Sequence, residues 1–187
     1  MPSDLEIVNG ALSRLGVAPI ATIGEDSEEG ALAQATYSIY RDQLLQSHPW
    51  NFAVRTQELS VASPIPEGWA SAFQVPGDAL RVIEIVNVSP NESWSIEGSV
   101  LYTNLDRTTC FIKYIKRITQ SGNFSAGFSD ALMAKLAAEW AEALTSSNTL
   151  LDRMEALRDR KTRETRSFDG QEGTPRVIRH HSWTETR

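Results

Sequence analysis

The chain alternates between segments in which apolar residues recur every three or four positions and a central region in which they recur every second position. The first spacing is typical of amphipathic helices and the second of half-buried strands. Helical spacing occurs at residues 3–15, 28–47, 128–146 and 148–166. We therefore predict four helices, two before and two after the central region.

Local signals mark the first two predicted helices. Ser3 and Glu6 have the spacing of a capping box, and Gly16 fits the left-handed residue that follows a last helical turn. In the second helix the pattern places one group of residues along a single side, and its alanines would allow a neighbouring helix to approach closely. This group consists of Ala31, Ala35, Ile39 and Leu44.

The central region, residues 51–118, is predicted to form four or five mostly antiparallel strands. The segments LRVIEIVNV and CFIKYIKRI have the composition of strands, and SWSIEGSVLYTN has that of a hairpin that turns at Glu97 and Gly98. The expected fold class is α+β: a bundle of about four helices with a small antiparallel β unit inserted between the second and third helices.

The segment SHPW, residues 47–50, is interpreted as a corner between the second helix and the first strand. Pro49 lacks a backbone N–H and disfavours helix in the residue before it, so the helix is expected to end here. Large aromatic residues follow this corner, and we expect them to pack in the core rather than to form a ligand cage. They are Trp50, Phe52, Trp69 and Phe73.

The C-terminal part of the chain loses its apolar stripe. After Leu157 the fourth helix becomes RDRKTRETR, and such a polar helix end usually projects into solvent or lies on a partner. Residues 168–187 are predicted to be an extended arm following a domain of residues 1–167, because glycine and proline interrupt them and apolar residues are scattered among polar ones. The apolar members are Phe168, Val177, Ile178 and Trp183. A frayed terminus is the alternative interpretation.

Composition and charge restrict the classes of function. The chain has 187 residues and a net charge of −6, which suits one acidic domain with or without an arm. Residues 1–151 carry nine Lys and Arg against seventeen Asp and Glu, which argues against wrapping nucleic acid. Residues 152–187 carry nine against seven. The sequence has no apolar run long enough for a membrane span and no secretory signal pattern, and the single Cys110 fits a reducing compartment or no redox role.

No combination of residues indicates a catalytic centre, a cofactor site or a metal site, and we predict that the protein is not an enzyme. The sequence lacks glycine-rich phosphate loops and a nucleophile elbow, and its three histidines, His48, His180 and His181, with one cysteine, are too few for a zinc site. Acidic residues are concentrated at positions 24–30, where a helix start favours negative charge. A hydrolase that uses paired carboxylates is the alternative.

Six segments, in this order, resemble the tail tubular protein A group, the head-to-tail adaptor or gatekeeper proteins of short-tailed phages. They are NGALSRLGVAPIATI, RDQLLQSHPWNFAVR, GWASAFQVPGDALRV, EGSVLYTN, FIKYIKRIT and FSDALMAKLAAEWAEALT. The resemblance runs from about residue 8 to about residue 146. Its most specific parts are the LL…PWNFA corner and WASAFQVPGDALRV, which combine aromatic residues with proline at fixed spacing.

The resemblance implies a structural protein of the virion tail or neck, made in the host cytoplasm. Such adaptors form a dodecameric ring beneath the portal protein and join it to tail nozzle or tail fibre proteins, while genomic DNA passes through the channel. Their C-terminal arm embraces the portal. In this chain the residues expected to bind the portal are Phe168, Arg176, Val177, Ile178, Arg179 and Trp183, the arginines by pairing with acidic groups. A head-completion scaffold of another phage class is a further alternative.

Overall fold

The computed structural model describes residues 2–88 and 92–172 of the chain. Four α-helices are present in this part: α1 Asp4–Leu15, α2 Glu28–Gln46, α3 Ala126–Thr145 and α4 Asn148–Asp169, with a 3₁₀ turn, Ser121–Asn123, before α3. Each α-helix begins after a serine whose hydroxyl accepts a backbone N–H of the first turn. The four predicted helices and their order along the chain are therefore confirmed.

The region between α2 and α3 forms a six-stranded sheet. Its strands are β1 Val54–Val61, β2 Ser71–Gln74, β3 Ala79–Ile85, β4 Trp94–Glu97, β5 Val100–Thr103 and β6 Cys110–Lys116. They are arranged in the order β3-β6-β1-β2-β5-β4, and every neighbouring pair is antiparallel. The β4–β5 hairpin turns at Gly98, whose φ of 60° lies in the left-handed region that glycine favours. The predicted α+β class is therefore confirmed.

The sheet contains more strands than the four or five predicted. The additional strand β2 has only four residues and lies between Pro66 and Pro76. It pairs with β1 only at Ser60–Gln74 and Val61–Phe73, but with β5 along its whole length. Burial explains why so short a strand persists, because Ala72 and Phe73 are fully shielded from solvent.

Two hydrophobic clusters stabilise the fold. The first packs residues of all four helices against the end of β6, and its largest fully buried side chains are Trp50, Trp140, Phe124 and Phe128. The second lies within the sheet and includes Phe73, Leu101, Ile112 and Tyr114. Trp50 belongs to the first cluster, so the corner after α2 is a core element on which the helices and the sheet converge.

The four aromatic residues predicted to pack in the core differ in their burial. Trp50 and Phe73 are fully buried, each in a different cluster. Phe52 is partly buried against the first cluster. Trp69 is also only partly buried, and its ring stacks on that of Tyr102 with a centroid separation of 6.2 Å. The core role is therefore confirmed for Trp50 and Phe73 and holds in part for the other two.

The buried face of α2 differs from the predicted one. Ala31, Ala35 and Ile39 face solvent, and Ile39 is 53% exposed. The buried side consists of Gly30, Ala33, Tyr37, Arg41, Leu44 and Leu45. A hydrogen bond from the Tyr37 hydroxyl to Asp4 of α1, at 2.8 Å, helps to fix this rotation. Because alanines occur on several sides of α2, the apolar pattern alone could not decide which side is buried.

The polar half of α4 packs against α3 of the same chain. The Lys161 ammonium pairs with Asp130 at 2.9 Å, and the Thr165 hydroxyl donates to the carbonyl of Gly127 at 3.0 Å. A Cβ at Gly127 would meet the Thr165 methyl group at 2.9 Å, so this glycine permits the close approach of the two helices. The polar pattern predicted solvent or a partner for this half of α4, and the structure places one of its sides on α3.

Candidate functional site

The corner between α2 and β1 is built around the indole of Trp50. Its Nε1 donates to the carbonyl oxygen of Leu44 at 2.9 Å, and the Ser47 hydroxyl donates to the same oxygen at 2.8 Å. These bonds satisfy a carbonyl of the last turn of α2, where helical partners run out. The ring of His48 lies edge-on to Trp50 with centroids 4.7 Å apart, and Pro49 follows the end of α2 as predicted.

Asp169, the last residue of α4, forms hydrogen bonds to residues of this corner. One of its carboxylate oxygens accepts the backbone N–H of Asn51 at 3.0 Å, and the other lies 3.3 Å from Nε2 of His48. The Asp169 carbonyl also accepts the side-chain amide of Asn51. Asp169 is only 7% exposed, so these donors offset the cost of burying its charge. We call the contact between the end of α4 and residues 47–51 the junction.

Arg166 adds a second attachment within the junction. Its guanidinium donates to the hydroxyl of Ser47 at 3.0 Å and to the Ser47 carbonyl at 3.4 Å. The last turn of α2 has no basic residue of its own. Arg166 therefore supplies the positive charge that the C-terminal end of a helix dipole favours.

Burial lowers the pKa of His48, and the attraction of the Asp169 carboxylate only partly offsets this effect. The positive charges of Arg166 and Arg81 lower the pKa further. The imidazole is therefore neutral at pH 7. Because a carboxylate can only accept, the neutral ring carries its proton on Nε2 and donates it to Asp169.

Acidification is expected to weaken the junction. The pKa of His48 is lower in the folded chain than in the unfolded chain, so the unfolded chain binds more protons as the pH falls below about 6.5. The stability that neutral His48 contributes is complete above that pH and is lost as the pH falls through the folded-state pKa. Urea unfolding measured between about pH 7 and about pH 5 should show this loss.

A His48→Gln variant is the control for this pH dependence. Glutamine keeps an N–H donor but does not titrate, so the free energy of unfolding should depend less steeply on pH in the variant than in the wild type. His180 and His181 are present in both chains and cancel in the comparison. Equal slopes for the two chains would contradict the role assigned to His48.

The residues predicted to bind the portal fall into two groups. Phe168 lies in the last turn of α4, not in an extended arm, because Asp169 anchors that turn; its side chain is 68% exposed. The helix end predicted at residue 166 accordingly moves to residue 169. The other predicted residues lie outside the described part of the chain: Arg176, Val177, Ile178, Arg179 and Trp183.

Exposed apolar side chains are concentrated on the strand side of the molecule. Of the seven large apolar residues that are exposed in the described ranges, five lie in the sheet or in the connection after β1. They are Val61, Ile65, Trp94, Ile96 and Phe111. Trp94 and Ile96 lie on β4, which is at one edge of the sheet. Proteins usually cover or block an edge strand of this kind, so β4 is a candidate contact surface.

Glu25, the first carboxylate of the acidic segment 24–30, has a structural role. Glu25 accepts the backbone N–H groups of Thr22 and Ala21 at 3.1 and 2.8 Å, and these hydrogen bonds lower its pKa. A hydrolase of the alternative type needs one acid with a raised pKa, so the shift of Glu25 is opposite to that requirement. Within residues 2–88 and 92–172, no group of three or more side chains could hold a metal ion. No helix in these ranges is long and apolar enough to cross a membrane.

The junction is closed by contacts within the chain, whereas the β4 edge exposes apolar side chains. At the junction, the carboxylate of Asp169 is already occupied by His48 and Asn51 of the same chain. At the edge, β4 exposes the side chains of Trp94 and Ile96. Comparison with models of known protein families and with curated proteins gives no match.

Proposed function

We propose that the chain is a head-to-tail adaptor of a short-tailed phage particle. In this function, copies of the chain form a ring beneath the portal protein and connect it to tail nozzle or tail fibre proteins, and genomic DNA passes through the channel. The proposal starts from the resemblance of the six segments between residues 9 and 145 to adaptors of this kind. It assigns the protein to the tail or neck of the virion.

The observation that carries the proposal is the apolar edge strand β4. Trp94 and Ile96 are 38% and 37% exposed, and β4 pairs with β5 on one side only in the described sheet. A subunit that stayed alone would leave these side chains and a row of backbone hydrogen-bonding groups open to non-specific association. A subunit built into a larger particle can cover them, which supports a structural role.

The position of the junction also supports the proposal. Asp169 fixes the end of α4 beside residues 47–51, so the chain that follows starts where the bundle meets the sheet. Phe168 is exposed at this starting point and is available to a neighbouring protein. The acidic balance of residues 1–151 suits a channel through which DNA slides, because it offers phosphates few cations to bind.

A chain that ends at Glu172 tests the portal-binding arm. It removes residues 173–187 but keeps Asp169, so the junction and the fold should remain intact. A chain that ended at residue 167 would also lack the Asp169 carboxylate, so misfolding could not be distinguished from lost binding. We expect the full chain to co-sediment with the purified portal protein of its particle and the shortened chain to remain in the supernatant.

Light scattering of the full chain, alone and mixed with portal protein, measures whether a ring forms on the portal. Thermal unfolding by circular dichroism checks that the shortened chain is folded. Co-sedimentation of the shortened chain at the wild-type level would contradict the proposal that residues 173–187 bind the portal protein. Failure of the full, folded chain to bind portal protein would remove the adaptor function itself.

A further inference from the structure

A groove with an excess of positive charge lies beside the junction, between α2, α3 and α4. Its volume is about 380 Å³. The charged residues that line it are four cations and one carboxylate, namely Lys135, Arg158, Arg163, Arg166 and Asp159. We call this site the cationic groove. Its charge is opposite in sign to the net charge of −6 on the chain.

Two of the four cations have no carboxylate partner within the described residues. The Nε of Arg163 donates to the backbone carbonyl of Asp159 at 3.2 Å. Arg166 donates to Ser47, but its Nε is buried without a hydrogen-bond partner in the same part of the chain. Cations with so few neutralising contacts favour an anionic group from another molecule.

The opposite end of α2 carries carboxylates that have no ion-pair partner within the described residues. Asp26, Glu28 and Glu29 lie at or just before its first turn, and we call them the acidic end. Asp26 and Glu28 are exposed, and in residues 2–88 and 92–172 none of the three carboxylates forms an ion pair. Glu25 is not included, because its carboxylate is occupied by backbone N–H groups.

The acidic end and the cationic groove cannot meet within one subunit. The 19-residue helix α2 separates them by roughly 25 Å, since an α-helix rises about 1.5 Å per residue and the groove lies beside its last turn at Leu44 and Ser47. Two complementary surfaces at opposite ends of one rigid element are suited to joining separate copies of the chain.

We propose that the acidic end of one subunit binds in the cationic groove of the next. Such a contact is heterologous: it joins two different surfaces, so it repeats from head to tail until the ring closes. Carboxylate–guanidinium pairing would neutralise Arg163 and the acidic end together. The inference deepens the proposed function, and it rests on that function only for the closure of the ring.

A second copy of the chain suits the groove better than nucleic acid does. The groove is a local site lined from three helices, whereas a nucleic-acid backbone needs cations along an extended path. The seventeen carboxylates of residues 1–151 would repel such a polyanion. The acidic end presents three carboxylates within residues 26–29, so all three lie close enough together to face one local group of cations.

Charge reversal of the two surfaces tests the contact. One variant carries Asp26→Lys and Glu28→Lys, and the other carries Arg158→Glu and Arg163→Glu. Sedimentation velocity of the chain without portal protein, at high protein concentration and about 25 mM salt, should show wild-type self-association that weakens at about 500 mM salt. Each variant alone should associate about tenfold more weakly or worse, because like charges then face each other.

An equimolar mixture of the two variants should recover self-association. In the mixture, the new lysines meet the new glutamates, and the unchanged acidic end of one variant meets the unchanged groove of the other. This recovery is specific to a head-to-tail contact and also shows that both variants are folded. The control for the groove variant carries Arg55→Glu and Arg107→Glu, at exposed positions on the strand side. Its net charge changes by the same amount as that of the groove variant, and it should associate like the wild type.

Three results would overturn the inference: a wild-type chain that is monomeric at low salt, no recovery in the mixture, or loss by the groove variant of binding to a duplex oligonucleotide that the wild type binds. The last result would assign the groove to nucleic acid. These outcomes are separate from the portal experiment. A chain that binds portal protein but does not self-associate would contradict only the inference. A chain that self-associates but does not bind portal protein would contradict only the adaptor function.

Discussion

Replacement of Trp50 with alanine is expected to lower the free energy of unfolding by about 3–5 kcal/mol, the cost typical of truncating a fully buried tryptophan. The substitution removes the indole from its edge-on contacts with Phe128 and His48, and it removes the Nε1 donor from the carbonyl of Leu44. Domains are usually stable by only about 5–15 kcal/mol, so this variant should approach the limit of folding. Urea unfolding followed by circular dichroism measures the loss.

Trp94 provides the matched control, because it is a tryptophan of the same chain that is 38% exposed on β4. Trp94→Ala is expected to cost clearly less, about 1–2 kcal/mol, because part of the indole is already exposed to solvent. Trp50→Phe should give an intermediate result, since it keeps a buried ring but not the hydrogen bond to Leu44. Equal losses for Trp50→Ala and Trp94→Ala would contradict the central position assigned to Trp50.

Replacement of Asp169 with alanine is expected to cost about 1–3 kcal/mol, because it removes the part-buried hydrogen bond from the Asn51 backbone N–H to this buried carboxylate. The variant also removes the acceptor of His48. Besides a lower urea midpoint, we expect faster hydrogen exchange in the last turn of α4, since that turn loses its attachment to residues 47–51.

Two further substitutions separate this effect from a general loss of charge. Asp159→Ala removes a carboxylate of the same helix that is 60% exposed and pairs with Arg158, so it should have little effect. Asp169→Asn keeps an oxygen that can accept from Asn51 and should cost less than the alanine variant. If Asp169→Ala were no worse than Asp159→Ala, the junction would not depend on this carboxylate.

The features that sequence could predict are those encoded by residues close together in the chain. Ser3 and Glu6 form the capping box of α1, and both reciprocal hydrogen bonds are present. Pro49 follows the end of α2, and Gly98 turns the β4–β5 hairpin. In each case a steric or hydrogen-bonding rule acts over a few positions, so the local sequence contains all the necessary information.

The features that sequence could not predict depend on partners far apart in the chain. Asn51 and Asp169 are separated by 118 positions, and no spacing rule connects them. One local signal does exist: an acidic residue just before Gly170, at the end of a helix, is unfavourable to the helix dipole and therefore calls for a donor elsewhere. The rotation of α2 likewise depends on Tyr37 reaching Asp4, which an alanine-rich pattern does not reveal.

For the candidate site, the sequence placed Phe168 in an extended arm and missed the helical turn that contains it. It also missed the cationic groove, because Lys135 and Arg163 belong to different helices and come together only when α3 and α4 pack. Charge counted along the chain gives net values for segments. Which charged side chains lie together in a groove is decided by the tertiary fold.

The bond between Asn51 and Asp169 has a consequence for biosynthesis. Residue 169 is synthesised 118 positions after Asn51, so the junction cannot form on a nascent chain until α4 has emerged. A chain in which α4 has not yet been synthesised therefore lacks the hydrogen bonds that hold residues 47–51 beside the end of α4.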